Sequence, residues 1–587
     1  MRISRNFPNK DTLIVVTLCF IPFLESLVRG WYYHSWFYGL WKYIGLIVVE
    51  DARTILAIVA LSILSFICCK RSSKLFRIAG VLFAILATIT NVLYIADFCV
   101  QSILSNRLFF SDIPIYLKQM FSFKVFFGAL FSHKLVLLDI LFCLLQIVAF
   151  IGLFISNPGK ISRVQTSFAF ATIVIFAVAS LFPFQSPMRQ AFLNVFSLNY
   201  EGNGRFAPYS RLFLENQVSK KLEGSIELKD KTSCFNPHNQ KLNIIQIVFE
   251  SMSVAQSKLF SDLPDNLFPK TDLLVKEKGM YFTNFFQNTY NSASGQFVSM
   301  SGHLALPNSK REYPWHNEEL LKDSLANKLA HLSNVGEGYS TEYIASVELD
   351  QSQLRKMAKL AGFKEIFDLN QTHPKDKLAH NDADLYEFVL GRMAATSKPF
   401  YFFVVNSTTH PPYLVPPLYK EYDYTKSFRY ADSALSDFIL KLEQEKFFEN
   451  GILVVSSDHH PWENLTIAEI QSIKHLPEAK VPCFIIGKSI PKRQVDSLHS
   501  TVDIVPSLEW FITGRSRFLI TQSNLFEGAS KAIFHHNGNS RNNVKVLCNG
   551  GSEVISLNGD QTSIVDSEEK CPINTVDVIN HYRGVVP

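Results

Sequence analysis

The chain has 587 residues, of which 47% are hydrophobic and 50 are Phe, and its formal net charge is +5. That length exceeds one ordinary domain, and the apolar residues are concentrated before residue 185. A small positive charge spread through the whole sequence excludes an electrostatic nucleic-acid binder and allows no more than a mild preference for anionic lipid.

Five apolar segments come first: Thr12–Val28, Thr54–Cys69, Ile78–Ala96, Leu135–Ile155 and Thr166–Phe184. Most approach the roughly 20 residues that a helix needs to cross a bilayer. The second is short and is expected to extend back through Gly45–Ala52. Five in succession argue against a lone buried helix, and no small-residue cleavage site marks the first as a signal peptide. Residues 1–184 therefore read as a transmembrane domain of five helices. The segment 97–133 reads either as amphipathic pieces lying along the membrane surface or as an ordinary loop.

Charge sets the orientation. Arg2, Arg5 and Lys10 precede the first segment, Lys70, Arg71, Lys74 and Arg77 separate the second and third, and Lys160 and Arg163 separate the fourth and fifth. All three clusters fall on one side if every segment crosses, and basic loops mark the cytoplasmic side. An odd number of crossings then puts everything after Phe184 outside the cytoplasm. Trp31, Tyr32, Tyr33, Trp36 and Trp41 follow the first segment as an outer aromatic belt would.

Residues 185–240 form a polar connector. From 241 to about 530, strand-like runs (IIQIVF, YFFVVN, ILVVSS, CFIIG) alternate with helical patterns such as Asp382–Met393 and Tyr430–Glu443, which predicts an α/β sheet with helices on both faces. Residues 531–587 are richer in Asn, Gly and Ser and are expected to add a small β-rich extension. Cys548 and Cys571 bracket a turn-rich stretch there and are expected to pair, whereas Cys483 lies inside an apolar run and is expected to pack in a strand.

Two of the strand-like runs stop abruptly at residues that bind metal ions. The run LNIIQIVFES delivers Glu250, and GILVVSSDHH delivers Asp458 and His459. In open α/β sheets, ligands sit beyond the carboxyl ends of the strands, so these residues are expected to meet at one rim. Carboxylate and imidazole together suit a divalent ion such as Zn or Mn. Between the two runs lies FFQNTYNSASGQFVSMSGHLALP, with Ser292, Ser294, Ser299 and Ser301. A polar loop is one reading of this stretch, and a nucleophile segment activated by the metal is the other.

Together these residues resemble the membrane-anchored phosphotransferases of the alkaline phosphatase/sulfatase superfamily, most closely the lipoteichoic acid synthase and phosphoglycerol transferase group, with phosphoethanolamine transferases as relatives. The resemblance covers nearly the whole chain. It implies an α/β alkaline phosphatase/sulfatase-like catalytic domain after the membrane segments, holding one or two divalent metal ions (Mn, Zn or Mg). Glu250, Ser292, Asp458 and His459 match its metal ligands, and Ser292 of NSASGQF matches its nucleophile. His410 of STTHPPY and Arg355, upstream of Gly362 and Phe363, match its substrate-binding residues, and TVDIVPSLEWF matches a structural helix. The implied activity is transfer of a phospho-alcohol head group, phosphoglycerol or phosphoethanolamine, from a phospholipid donor to an envelope glycan or lipid acceptor. The implied location is a bacterial cytoplasmic (inner) membrane, multi-pass, with the catalytic domain outside the cytoplasm.

The chain departs from the family at three points. Ser346 and Gln353 stand where the family has His and Trp ahead of the Arg, which weakens the phosphoglycerol assignment. The nucleophile is Ser rather than Thr, and Ser294 is the alternative in a shifted register. The Cys/Ser-x-Pro-x-Arg signature of formylglycine sulfatases is missing from 285–307. Two other classes stay open: a sulfatase- or phosphodiesterase-type hydrolase with water as acceptor, and a non-catalytic binding descendant of the fold.

Overall fold

The structure is a computed structural model. It describes residues 14, 18, 52–70, 73–104, 134–155 and 241–583, the last with short breaks at 264–265, 307–317, 333–337, 350–353, 373–380, 412, 417–422, 462–464, 474, 538–542 and 559–560. The chain divides into two compact units, 1–201 and 202–587. The expected connector at 185–240 and the fifth apolar segment lie outside the described residues, as does all but Ile14 and Leu18 of the first.

In the N-terminal unit the described residues form helices α1 (Ala52–Cys69), α2 (Lys74–Leu104) and α3 (Lys134–Ile155). Three of the five apolar segments fall on them. Lys74–Val92 is long and apolar enough to cross a membrane by length and composition, whereas Ile58–Cys69 and Leu141–Ile151 are shorter apolar stretches. Helix α1 begins at Ala52, and the rest of its expected backward extension lies outside the described residues. Helix α2 runs on to Leu104, so the first part of the 97–133 segment continues the helix of the third apolar segment rather than forming a loop. Leu75, Leu82, Ile85 and Ile89 point outward from α2. Helices α1 and α2 approach closely at Gly80, whose carbonyl accepts a hydrogen bond from the Ser65 hydroxyl at 2.8 Å. A Cβ on Gly80 would meet the Cys69 sulfur at 2.4 Å.

The second unit is built on β1 (Asn243–Phe249), β2 (Gly279–Phe282), β3 (Phe285–Phe286), β4 (Ser340–Ala345), β5 (Glu365–Phe367), β6 (Phe400–Val405), β7 (Gly451–Ser457), β8 (Cys483–Gly487), β9 (Arg493–Val495) and β10 (His499–Ser500), followed by β11 (Ala532–Asn537), β12 (Asn543–Cys548), β13 (Gly551–Asn558) and β14 (Gln561–Ser567). Its main helices are α4 (Pro269–Lys278), α5 (Ser292–Ser301), α6 (Leu354–Leu360), α7 (Asp382–Ala395), α8 (Tyr424–Gln444), α9 (Ile504–Thr513) and α10 (Thr575–Arg583). The eight-stranded sheet has the order β5-β4-β6-β1-β7-β8-β2-β9. Strands β5, β4, β6, β1 and β7 are mutually parallel, and β8 runs against β7.

All four predicted strands are present. Each is buried on both faces because helices cover both sides of the sheet, and this is why they read as mainly apolar runs. Side chains alternate between two cores: Ile244 and Val248 enter one, Ile245, Ile247 and Phe249 the other. Gln246 interrupts this pattern in β1. Its amide donates to the Ser299 carbonyl at 3.0 Å and accepts from the Tyr401 hydroxyl at 2.8 Å, tying α5 to the sheet.

Helix α7 begins at Asp382 as expected. Helix α8 begins six residues earlier than the apolar pattern indicates, because the Asp423 side chain caps it by accepting the Lys426 N–H. The C-terminal residues form the expected β-rich extension, an antiparallel sheet β11-β12-β13-β14, and Cys548 is bonded to Cys571. Cys483 is buried in β8.

Candidate active site

Strands β1 and β7 are adjacent and parallel, with Phe249 in register with Ser457. The next residue on each, Glu250 and Asp458, therefore emerges at the same rim, and the Asp458 N–H donates to the Phe249 carbonyl at 3.0 Å. Strand pairing alone brings together two carboxylates that are 208 positions apart in the sequence.

Helix α5 delivers the third component. Asn291 caps it, its side chain accepting the Ser294 N–H at 2.9 Å, so Ser292 occupies the first helical position. The Ser292 hydroxyl lies 3.2 Å from Glu250 Oε2 and 3.0 Å from His459 Nε2. Ser294 is buried two positions past the helix start, and its backbone N–H serves the cap. Of the two sequence candidates, Ser292 is the one whose hydroxyl is bonded to the carboxylate–imidazole set.

The histidine tautomer follows from its neighbours. His459 Nδ1 lies 2.7 Å from the His460 carbonyl, and a carbonyl only accepts, so Nδ1 carries the proton. Nε2 then offers a lone pair, 3.5 Å from both Glu250 Oε1 and Asp458 Oδ2. One donor atom from each of Glu250, Asp458 and His459 lies within 4.8 Å of the others. All three side chains are buried.

Electrostatics make this set costly as it stands. Burial pushes the Asp458 carboxyl up to about 7, with the backbone hydrogen bonds from Ser251 and His459 opposing the shift. Burial, and next the Asp458 charge, raises Glu250, while burial holds His459 below its ordinary value. Asp458 Oδ1 accepts N–H bonds from Ser251 at 2.9 Å and His459 at 2.8 Å, yet Oδ2 is buried without a hydrogen-bond partner. An orphaned carboxylate oxygen, a second carboxylate and an imidazole lone pair converging on one point are the donor set of a divalent cation. The residues fit such an ion.

The remaining predicted residues are placed differently. His410 follows β6, and its charge acts on both Glu250, which it lowers, and His459, which it also lowers. It therefore stands within electrostatic reach of the set. Arg355, on α6, is ion-paired with Asp368 at the exit of the edge strand β5. Strand β5 is three strands from β1, roughly 14 Å at the usual spacing of about 4.8 Å. Arg355 is thus anchored on the same rim but not within the cluster. Ser346, at the exit of β4, bonds Ser407 at 2.7 Å, and Gln353 lies outside the described residues.

Several supporting residues carry no signal in the sequence. Asn406 Oδ1 accepts the Glu250 N–H at 2.7 Å, and Asn406 Nδ2 donates to Asp382 at 2.7 Å. Thr409 donates to the Glu250 carbonyl at 2.5 Å. Asn381 and Asp382 read only as a helix start, and the β6 exit loop only as a turn. Ser251, immediately after Glu250, has no glycine or proline beside it to announce its unusual backbone.

Residues 242–509 match the family described as Sulfatase. Among curated proteins, the chain is 21% identical over 277 residues to the lipoteichoic acid synthase-like protein YvgJ of Bacillus subtilis, covering 39% of this chain and 42% of that one. It is 22% identical over 302 residues to lipoteichoic acid synthase of Staphylococcus aureus, covering 46% of each. The match spans less than half the length of these relatives. Among solved structures, a lipoteichoic acid synthase from Listeria monocytogenes superposes with a TM-score of 0.47 at 16% identity, covering 62% of this chain and 94% of that one. A Vibrio parahaemolyticus protein of the alkaline phosphatase superfamily gives 0.48 at 20%, covering 59% and 86%. Glu250, Asp458 and His459, with the Ser292 hydroxyl against them, thus meet at the rim of the sheet within residues 242–509, the part of the chain that matches the Sulfatase family.

Proposed function

We propose that this protein transfers a phospho-alcohol head group, phosphoglycerol or phosphoethanolamine, from a phospholipid to an extracytoplasmic glycan or lipid through a covalent intermediate on Ser292. The observation that carries this reading is the placement of the Ser292 hydroxyl, 3.0 Å from His459 Nε2 and 3.2 Å from Glu250 Oε2, at the first turn of α5. Held by Glu250, Asp458, His459 and Ser292, a divalent ion would supply the positive charge that makes a serine alkoxide accessible and offsets phosphate charge.

The Ser292 oxygen attacks phosphorus, forming an O–P bond, while the bond to the diacylglycerol oxygen breaks and that oxygen takes up a proton. The N-terminal turn of α5 directs its free N–H groups toward the anion. His410 binds the non-bridging oxygens, where charge-assisted hydrogen bonds are strongest. Arg355, farther along the rim, meets the distal part of the donor head group or the acceptor rather than the reacting phosphorus. The acceptor hydroxyl then attacks phosphorus, and Ser292 leaves and is reprotonated.

Multi-pass anchoring, with the three basic clusters cytoplasmic and the sulfatase-family domain outside, puts this site on the leaflet that contains the donor. A reporter that works only outside the cytoplasm, fused after Pro587, is expected to be active, and activity of a cytoplasm-only reporter would overturn the orientation.

The chemistry is tested by incubating purified protein with phosphatidylglycerol or phosphatidylethanolamine labelled in the head group and weighing the intact protein. An adduct in wild type that is lost in Ser292→Ala supports the reading. An adduct that persists in Ser292→Ala but vanishes in Ser294→Ala moves the nucleophile two residues on. No adduct with either donor overturns the covalent transfer and favours hydrolysis or a non-catalytic role.

A further inference from the structure

Ser251 follows β1 directly and is fully buried, with φ at +54°. This left-handed region is costly for a residue with a Cβ and readily adopted by glycine. Non-glycine residues persist there when their surroundings demand it, and such positions cluster at functional sites.

Here the demand is visible. The Ser251 N–H donates to Asp458 Oδ1 at 2.9 Å, and the Ser251 hydroxyl donates to Glu250 Oε1 at 2.6 Å. One residue, in one strained conformation, thus holds one oxygen of each carboxylate. What remains is Asp458 Oδ2, without a hydrogen-bond partner, and Glu250 Oε2, facing the Ser292 hydroxyl at 3.2 Å.

A glycine at this position would relax the backbone and keep the N–H bond to Asp458, but it would release Glu250. A turn serving the fold alone would be better made by glycine. We infer that Ser251 is a positioning residue, orienting Glu250 and Asp458 so that their uncommitted oxygens face a single divalent cation. This rests on the reading that the set binds such an ion.

Stability and metal affinity separate the alternatives. The full-length chain and its Ser251→Gly, Ser251→Ala and Ser251→Thr variants are titrated calorimetrically with Mn2+ and with Zn2+, and unfolded by urea in the presence of chelator. Ser251→Gly should match or exceed wild type in urea midpoint yet bind the preferred metal about tenfold or more weakly, the usual effect of losing a partner of a metal ligand. Ser251→Ala should lose the same affinity without gaining stability. Ser251→Thr retains the hydroxyl, so it should keep affinity while its β-branched side chain lowers the midpoint at positive φ.

Wild-type affinity in Ser251→Gly would overturn the positioning role. If wild type binds neither metal, the cation reading itself fails, and this inference with it. If Ser251→Thr does not fold, the glycine and alanine variants still decide, because neither carries the hydroxyl and they differ in strain.

Discussion

Gly295 lies directly against the backbone of Asp458: a Cβ at Gly295 would fall 2.4 Å from the Asp458 carbonyl oxygen and 2.8 Å from the Asp458 Cβ. Because Gly295 is three residues after Ser292, about one helical turn, the same contact seats the Ser292-bearing turn of α5 on the exit of β7. Gly295→Ala should therefore push that turn away from the carboxylates. Overpacking of this kind costs about 1–3 kcal/mol. Urea unfolding should register that loss, and the head-group adduct should form much more slowly although every proposed ligand is intact. Unchanged stability and an unchanged adduct rate would show that the close approach is not maintained.

Asp382 should be structurally essential from behind the site. Its buried carboxylate accepts from Asn406 Nδ2 at 2.7 Å and from the N–H groups of Ser407 and Thr408, each at 3.1 Å. Asn406 in turn accepts the Glu250 N–H. Asp382→Ala takes this acceptor away from three buried donors, at about 1–3 kcal/mol for each whose bond is not replaced. We expect a total loss of about 3 kcal/mol or more in urea unfolding, and weaker metal binding, since Glu250 loses its backbone anchor. A loss below about 1 kcal/mol would mean that water replaces the carboxylate without consequence.

The meeting of Glu250, Asp458 and His459 at one rim is legible because each follows a strand-like, mainly apolar run, and the rule for parallel sheets says where such ends meet. The residues that support them were not legible. Ser251 acts through a backbone conformation that no neighbouring glycine signals, and Asn406 through adjacency of β6 to β1, which depends on strand order. The partner of Arg355, Asp368, follows a three-residue edge strand too short to show any period. The two-residue strands β3 and β10 were invisible for the same reason. Hydrophobic spacing misses the first turn of α8, which is largely polar and whose start is set by the Asp423 cap.

Breaking the disulfide should weaken the domain without emptying the site. The Cys548–Cys571 bond closes a loop of sequence separation 23 and ties the end of β12 to the segment before α10. Chain entropy puts such a crosslink at about 3 kcal/mol. Replacing both cysteines by serine should lower the thermal midpoint, and reductant should do the same to wild type. Metal affinity should survive as long as the domain is folded, because Glu250, Asp458 and His459 sit on the eight-stranded sheet. A thermal midpoint indifferent to reductant would contradict this account.

Asp272 should make the stability of the second unit depend on pH. It lies in the first turn of α4 and accepts hydrogen bonds from the Ser257 hydroxyl at 2.6 Å and the Leu259 N–H at 3.2 Å. Burial raises its carboxyl from 3.8 to about 6, opposed by those hydrogen bonds, while the nearby Asp432 carboxylate adds to the rise. Between these two values the folded chain holds a proton that the unfolded chain has released. Its contribution is therefore complete below about pH 4 and is lost as pH rises through about 6. In Asp272→Asn this titration is absent. The amide offers one acceptor oxygen in place of two at every pH, so the informative quantity is the difference between variant and wild type rather than either value alone. That difference, measured by urea unfolding, should favour the variant more at pH 7.5 than at pH 4.5. A difference that stays constant between those pH values would show that Asp272 is not held protonated by the fold.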